Sequence, residues 1–201
     1  MRSTRLSRVA SFTAALAAAA ALFGPATSAQ AAEECGARTT TKAFAGFGDT
    51  NEYFPLTGGT FESGDLSAFK VTGGPWIVGE NEPWRVLGGS HARSVALPPG
   101  ATLTASFCLQ IGEDSLRAFV KAPSVPGASL QMKSKVTTTY GTASASISTT
   151  GGSGSWNPTA RLPLYNVASS DGRQYITVVV TNAGAGTWLL DDLLVDPWKT
   201  R

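Results

Sequence analysis

Carboxylates supply the most suggestive chemistry in this 201-residue chain. They fall in near pairs: Glu80 with Glu82, Glu113 with Asp114, Asp191 with Asp192. A glycosidase needs two acids facing each other across a cleft. Sequence neighbours on a strand point to opposite faces, so none of these pairs is a ready-made acid–base couple. Glu80, Glu82, Glu113 and Asp114 stand among turn residues and read as solvated. Asp191 differs. In the run Trp188 to Val195, alternation groups Asp191 with Leu193 and Val195, and Asp192 with Leu190 and Leu194. One carboxyl is therefore aimed among apolar side chains unless a bulge intervenes. A buried carboxylate is costly unless it is paired, hydrogen-bonded or bound to metal. Calcium, which takes carboxylate and carbonyl oxygens, suits such a site. Backbone N–H donors, or exposure where the strand frays, are the alternatives.

Catalytic sets are otherwise hard to assemble. His91 is the sole histidine, which removes His-rich metal sites and leaves no His–Cys pair. No Gly-x-Ser-x-Gly elbow surrounds a serine. Between Gly-Gly-Ser and Ala-Arg, His91 reads as a loop residue. Aromatics are the second resource, because sugars stack their apolar faces on Trp and Tyr. The chain has five Trp and four Tyr. Trp188 and Trp76 alternate with apolar neighbours and read as core. Trp84, Tyr140 and Trp156 adjoin turns and are the candidate ligand-binding residues.

These side chains must be positioned by strands, since almost nothing beyond the first 31 residues has helical period. Short alternating runs are separated by Gly, Pro, Ser and Asn. Ser67–Thr72, Trp76–Val78, Trp84–Leu87, Ser94–Leu97, Ala101–Gln110, Leu116–Ala122, Leu130–Tyr140, Thr142–Thr149, Tyr175–Thr181 and Thr187–Asp196 all read as strands. Arg161–Val167 is a further one, confined to an edge by Pro163. Such a series at short spacing predicts an all-β sandwich or barrel.

The first 31 residues read as a secretory signal peptide. Arg2, Arg5 and Arg8 precede an Ala/Leu run too short to span a bilayer, and Ala29-Gln30-Ala31 makes the cleavage site. Removing them leaves thirteen basic against fourteen acidic side chains and no basic cluster, which argues against nucleic acid as a partner. No second apolar stretch could serve as a membrane anchor. In an oxidising compartment Cys35 and Cys108 read as a disulfide. Residues 32–41 are otherwise polar and expected to be loose. About 170 residues suffice for one domain.

Gly59-Thr60-Phe61-Glu62-Ser63-Gly64-Asp65-Leu66, followed by Thr72-Gly73-Gly74, resembles the opening of carbohydrate-binding modules with the galactose-binding-like jelly-roll fold. Trp188-Leu189-Leu190-Asp191-Asp192-Leu193 resembles their closing strand. One departure is Phe69, where those modules usually carry Trp. The match covers 58–198, is specific at its two ends, and leaves Cys35–Thr57 without a counterpart. The whole chain also resembles uncharacterised secreted bacterial proteins. The resemblance implies a jelly-roll β-sandwich over 58–201, behind the leader 1–31 and a disulfide-tied extension 32–57. It implies a structural calcium ion on Glu62 and Asp191, with Asp192 as substitute. It also implies a secreted, monomeric, non-catalytic protein that binds extracellular or cell-wall carbohydrate. A cell-surface interaction protein without a sugar site is the alternative, and a glycoside hydrolase the second.

Overall fold

The structure, a computed structural model, describes residues 35, 38–110, 112–138, 141–165 and 173–197. The expected leader and Tyr140 lie outside the described residues. Among the described residues twelve strands carry the fold: β1 Phe54–Pro55, β2 Lys70–Thr72, β3 Trp76–Val78, β4 Ser94–Leu97, β5 Thr102–Gln110, β6 Glu113–Lys121, β7 Ser129–Thr138, β8 Gly141–Thr150, β9 Trp156–Pro158, β10 Leu162–Pro163, β11 Arg173–Asn182 and β12 Trp188–Pro197. They form two sheets. The seven-stranded sheet runs β10-β6-β12-β4-β3, with β1 added to β12 and β9 to β6. The five-stranded sheet runs β2-β5-β11-β7-β8. The result is the expected jelly-roll β-sandwich.

Alternation explains the five-stranded sheet well. In β5, Leu103, Ala105 and Leu109 are buried while Thr102, Thr104 and Ser106 face out. In β7, Leu130, Met132, Ser134 and Val136 point inward, and β11 adds Ile176, Val178 and Val180. These meet Leu97, Leu116, Trp188, Leu190 and Val195 of the other sheet in one core. Burying side chains of this size contributes roughly 1.5–3 kcal/mol each before conformational entropy is subtracted.

The seven-stranded sheet buries both faces. A second cluster of Ala43, Phe44, Tyr53, Phe119, Trp156 and Leu194 covers its outer side. Phe44 is fully buried, stacked on Phe119 with ring centroids 5.0 Å apart and edge-on to Tyr53 at 4.7 Å. The N-terminal extension thus forms a lid on the sheet and supplies β1.

Within 32–41, expected to be loose except at Cys35, the described residues are held at Cys35 and also at Arg38. The Cys35–Cys108 disulfide is present. Arg38 adds a bidentate ion pair to the buried Glu113 at 2.9 and 3.1 Å, a hydrogen bond to the Cys108 carbonyl at 2.9 Å, and a seat over the Phe54 ring. Glu113 is 1% exposed, so its reading as a solvated turn acid is corrected. Further along, Asp49 accepts hydrogen bonds from the Tyr53 hydroxyl at 2.7 Å and from Arg117 at 2.9 Å, and pairs with Arg161 at 2.8 Å.

Two strand expectations are also corrected. Ser67–Thr72 shortens to β2 because the Asp65 carboxylate accepts the Ser67 N–H at 2.9 Å and holds the preceding residues in a turn. Trp84–Leu87 is a turn segment, for a reason that belongs to the site below.

Candidate functional site

The opening turn and the closing strand of the resemblance do meet, while β2, which follows the turn, pairs with β5 in the other sheet. Along β12 the ladder to β6 pairs Asp191 with Phe119 and resumes at Leu194 with Arg117. One extra residue sits on β12, a β-bulge, and Asp192 takes a left-handed φ of 48° to make it. The bulge breaks the alternation, so Leu193 turns into the main core, Leu194 into the second cluster, and both aspartates become buried. Gly59 lies against it. The Leu193 N–H donates to the Gly59 carbonyl at 3.0 Å, and the Leu56 N–H to the Leu193 carbonyl at 2.8 Å. A Cβ on Gly59 would come within 2.9 Å of the Leu193 Cβ, so only glycine allows this approach.

From β3 the chain runs through a long loop, 79–93, that crosses the outer side of the seven-stranded sheet. Glu80 bonds Lys121 at 2.6 Å and the Trp156 indole at 3.1 Å. The Glu82 N–H donates to Asp191 Oδ2 at 3.0 Å. The Glu82 carboxylate, fully buried, turns back on its own loop and accepts the Trp84 N–H at 2.6 Å and the Val86 N–H at 2.7 Å. That is why Trp84–Leu87 is not a strand: its backbone donors bond a carboxylate instead of a neighbouring strand. Arg85 accordingly has φ 48°. At the end of the loop, Glu62 Oε1 accepts the Ala92 and Arg93 N–H groups at 2.9 and 2.8 Å.

Glu82, Asp191 and Asp192 are therefore three fully buried carboxyl groups near one seam, and no ion pair reaches them among the described residues. Burial pushes the Asp191 carboxyl well above the usual range, with the Asp192 charge adding to the rise. Asp192 is also raised, by burial first and then by the charges of Glu82 and Glu62. Asp191 has partial relief, because its oxygens accept the Glu82 and Asp192 N–H groups. Both Asp192 oxygens are buried without a hydrogen-bond partner, a costly arrangement by itself. Of the three acids expected to hold a cation, Glu62 and Asp192 retain unengaged oxygens while Asp191 is engaged. Among the described residues, no three His, Cys, Asp or Glu side chains are gathered as a ready metal-ligand set. Glu82 was invisible in the sequence as a member of this seam: an acid between Asn81 and Pro83 has every local mark of a solvated turn.

The aromatic candidates separate. Trp84 is 45% exposed. Its ring is edge-on to Phe47 at 4.7 Å and lies 5.5 Å from Phe119, so it is backed by aromatic side chains yet open to solvent. Trp156 is buried in the second cluster and offers no stacking face. Trp188 is core, as read. Trp76 is not: paired with Ala96 on the edge strand β3, it is 47% exposed. An edge strand has one neighbour, so alternation alone overstates its burial.

Beside the Trp84 loop is a cavity of about 340 Å³. Thr39, Thr40 and Thr41 of the extension form one wall; Val86, Leu87 and His91 of the loop form another, with Pro55 and Thr60 between. His91 Nδ1 is buried and has no hydrogen-bond partner. The cavity offers hydroxyls, one imidazole nitrogen and an apolar wall, the mixture that suits a small hydroxylated ligand.

Comparison by sequence finds no matching family model and no matching curated protein. Comparison by structure does. The carbohydrate-binding module TmCBM61, solved in complex with β-1,4-galactotriose, superposes with a TM-score of 0.51 at 23% identity, over 71% of this chain and 97% of that one. The enzymatically active domain of tailspike protein 4 of bacteriophage CBA120 gives 0.50 at 12% identity, over 71% of this chain and 21% of its own. What is shared is the β-sandwich jelly-roll fold.

Proposed function

We propose that this protein is a non-catalytic carbohydrate-binding β-sandwich, exported by its N-terminal leader and acting as a monomer outside the cell. The observation that carries the reading is Trp84: a half-exposed indole on a loop that also walls a sugar-sized cavity. Rings held from behind by Phe47 and Phe119 lose little freedom on stacking, which favours binding. The fold shared with TmCBM61, whose solved complex contains β-1,4-galactotriose, supports the same class of ligand. One stacked ring and one small cavity give weak binding, with Kd in roughly the micromolar to millimolar range. The test is calorimetric titration of the purified protein with galacto-oligosaccharides and cell-wall glycans. Trp84→Ala should weaken binding at least about tenfold while melting changes little. Absence of binding by the wild type across a broad glycan panel would move the protein to the interaction class.

We further propose that a calcium ion bridges the opening turn and the bulge of β12, held by Glu62 and Asp192 with Asp191 beside them. The orphaned oxygens of buried Asp192 motivate this. Calcium accepts hard oxygen ligands, including the backbone carbonyls that a bulge exposes, and it would neutralise the stacked negative charge. Binding to the folded state alone stabilises by about 2.7 kcal/mol at a hundredfold excess over Kd. Chelation should therefore lower the melting temperature, added calcium should restore it, and Asp192→Asn should abolish the response. A melting curve indifferent to chelator would leave the carboxyls buried in protonated form.

A further inference from the structure

We propose that the outer face of the five-stranded sheet is a second binding surface, for a linear acidic polysaccharide. The five strands carry Lys70, Lys133, Lys135 and Arg173 and not one acid. The strands of the other sheet carry Glu113, Asp114, Asp191, Asp192 and Asp196 against two cations. Net charge over the domain is close to zero, so this segregation appears only once the strands are sorted into sheets.

The lysines share one face. In β7, Lys133 and Lys135 are exposed between buried Met132, Ser134 and Val136. Registry runs from Lys70 to Thr104, Val179 and Lys133, which sets the two end lysines about 14 Å apart across three ladders. Lys135 stands about 7 Å further along its strand. Between and around them are hydroxyls bonded across strands: Thr72 with Thr102 at 2.6 Å, Ser106 with Thr177 at 3.1 Å, Thr137 with Thr142 at 3.3 Å. No ion pair engages the three lysines among the described residues.

Fixed positive charges over a hydroxyl floor complement a polymer with carboxylates at intervals and hydroxyls between them. The face lacks what other polyanions need. Bound single-stranded nucleic acid stacks on rows of aromatics, and here the central rows present Thr, Ser, Val and Gln with one exposed aromatic, Tyr175 near the start of β11, among the described residues. A membrane surface wants a continuous apolar anchor beside its basic groups, whereas the large hydrophobic side chains these strands expose are Val71 on the edge strand and Tyr175 on β11. The surface is on the opposite sheet from Trp84, so it stands or falls separately from the neutral-sugar site.

The test uses polygalacturonate at low salt with the purified protein, and neutral galactan, poly-dT and anionic vesicles as comparison probes. Polygalacturonate should bind, and its affinity should fall steeply with salt, as counterion release by about three lysines requires. Lys133→Gln and Lys135→Gln should each weaken it about fivefold, the triple variant with Lys70→Gln about a hundredfold, and Lys42→Gln on the extension less than twofold. Melting curves of the variants should match the wild type. No binding, binding unchanged in the triple variant, or tighter binding to poly-dT or vesicles would overturn the proposal.

Discussion

The two outer faces of this sandwich are built from the same kind of strand and meet opposite fates. On the five-stranded sheet, β8 alternates half-buried and exposed residues from end to end, and its outward Ser and Thr stand in solvent. On the seven-stranded sheet, β12 is buried along almost its whole length. Among the described residues only the start of the extension, at Cys35, reaches the first face, through the bridge to Cys108; the extension and loop 79–93 cover the second. The covered face accordingly holds aromatic clusters, buried ion pairs and carboxyl groups removed from water. The bare face holds hydroxyls, lysines and the exposed Tyr175. Additional chain has converted one ordinary sheet surface into a second core, and the candidate ligand cavity lies where that added chain stops.

The contrast sets the size of mutational effects. Phe44→Ala should destabilise by about 3–5 kcal/mol, the cost of emptying a filled aromatic site, whereas Thr177→Ala on the bare face should stay within about 0.5 kcal/mol. Chemical denaturation of the two variants measures the difference directly; comparable losses would dissolve the distinction between the faces. Arg38→Met probes the same lid from its polar side. It would strand the buried Glu113 charge, and about 3 kcal/mol should be lost, read as a lower denaturation midpoint.

Acid sharpens the comparison further. Burial alone would raise the Asp49 carboxyl, but hydrogen bonds from Arg161, Tyr53 and the Asn51 N–H outweigh it and hold it down to about 2. A lowered folded value stabilises above the unfolded value of 3.8 and loses that contribution as pH falls through 2. The contribution is about 2 kcal/mol. Melting temperatures should therefore drop between pH 4 and pH 2 in the wild type, and drop less in Asp49→Asn. Parallel curves would mean that the Asp49 contacts contribute little in solution.

How much of this was legible beforehand depends on the same contrast. Where one face is in water, as in β5 and β7, alternation gives strand, register and inward residues. Where both faces are covered it falls silent, because every position in β12 is apolar or buried for a different reason. The bulge at Asp192 was a possibility that sequence raised and geometry decided. The Cys35–Cys108 bridge followed from count and compartment. Glu82 and Glu113 did not follow from anything local: their burial depends on partners far along the chain, on Asp191 for the one and Arg38 for the other. Trp76 and Trp156 were assigned the wrong way round, since exposure at an edge strand and burial under a lid are both tertiary facts. The lysine face was hidden by a balanced total charge.

The central claim is that neutral sugar binds on the covered side of the sandwich. Backbone chemical-shift mapping during titration with a neutral oligosaccharide tests it most directly. Perturbations should gather on Trp84, Val86, Leu87, His91 and Thr39–Thr41, with Thr104, Thr177 and Val179 of the opposite sheet unmoved. Perturbations centred on that opposite sheet, or none at saturating sugar, would contradict it.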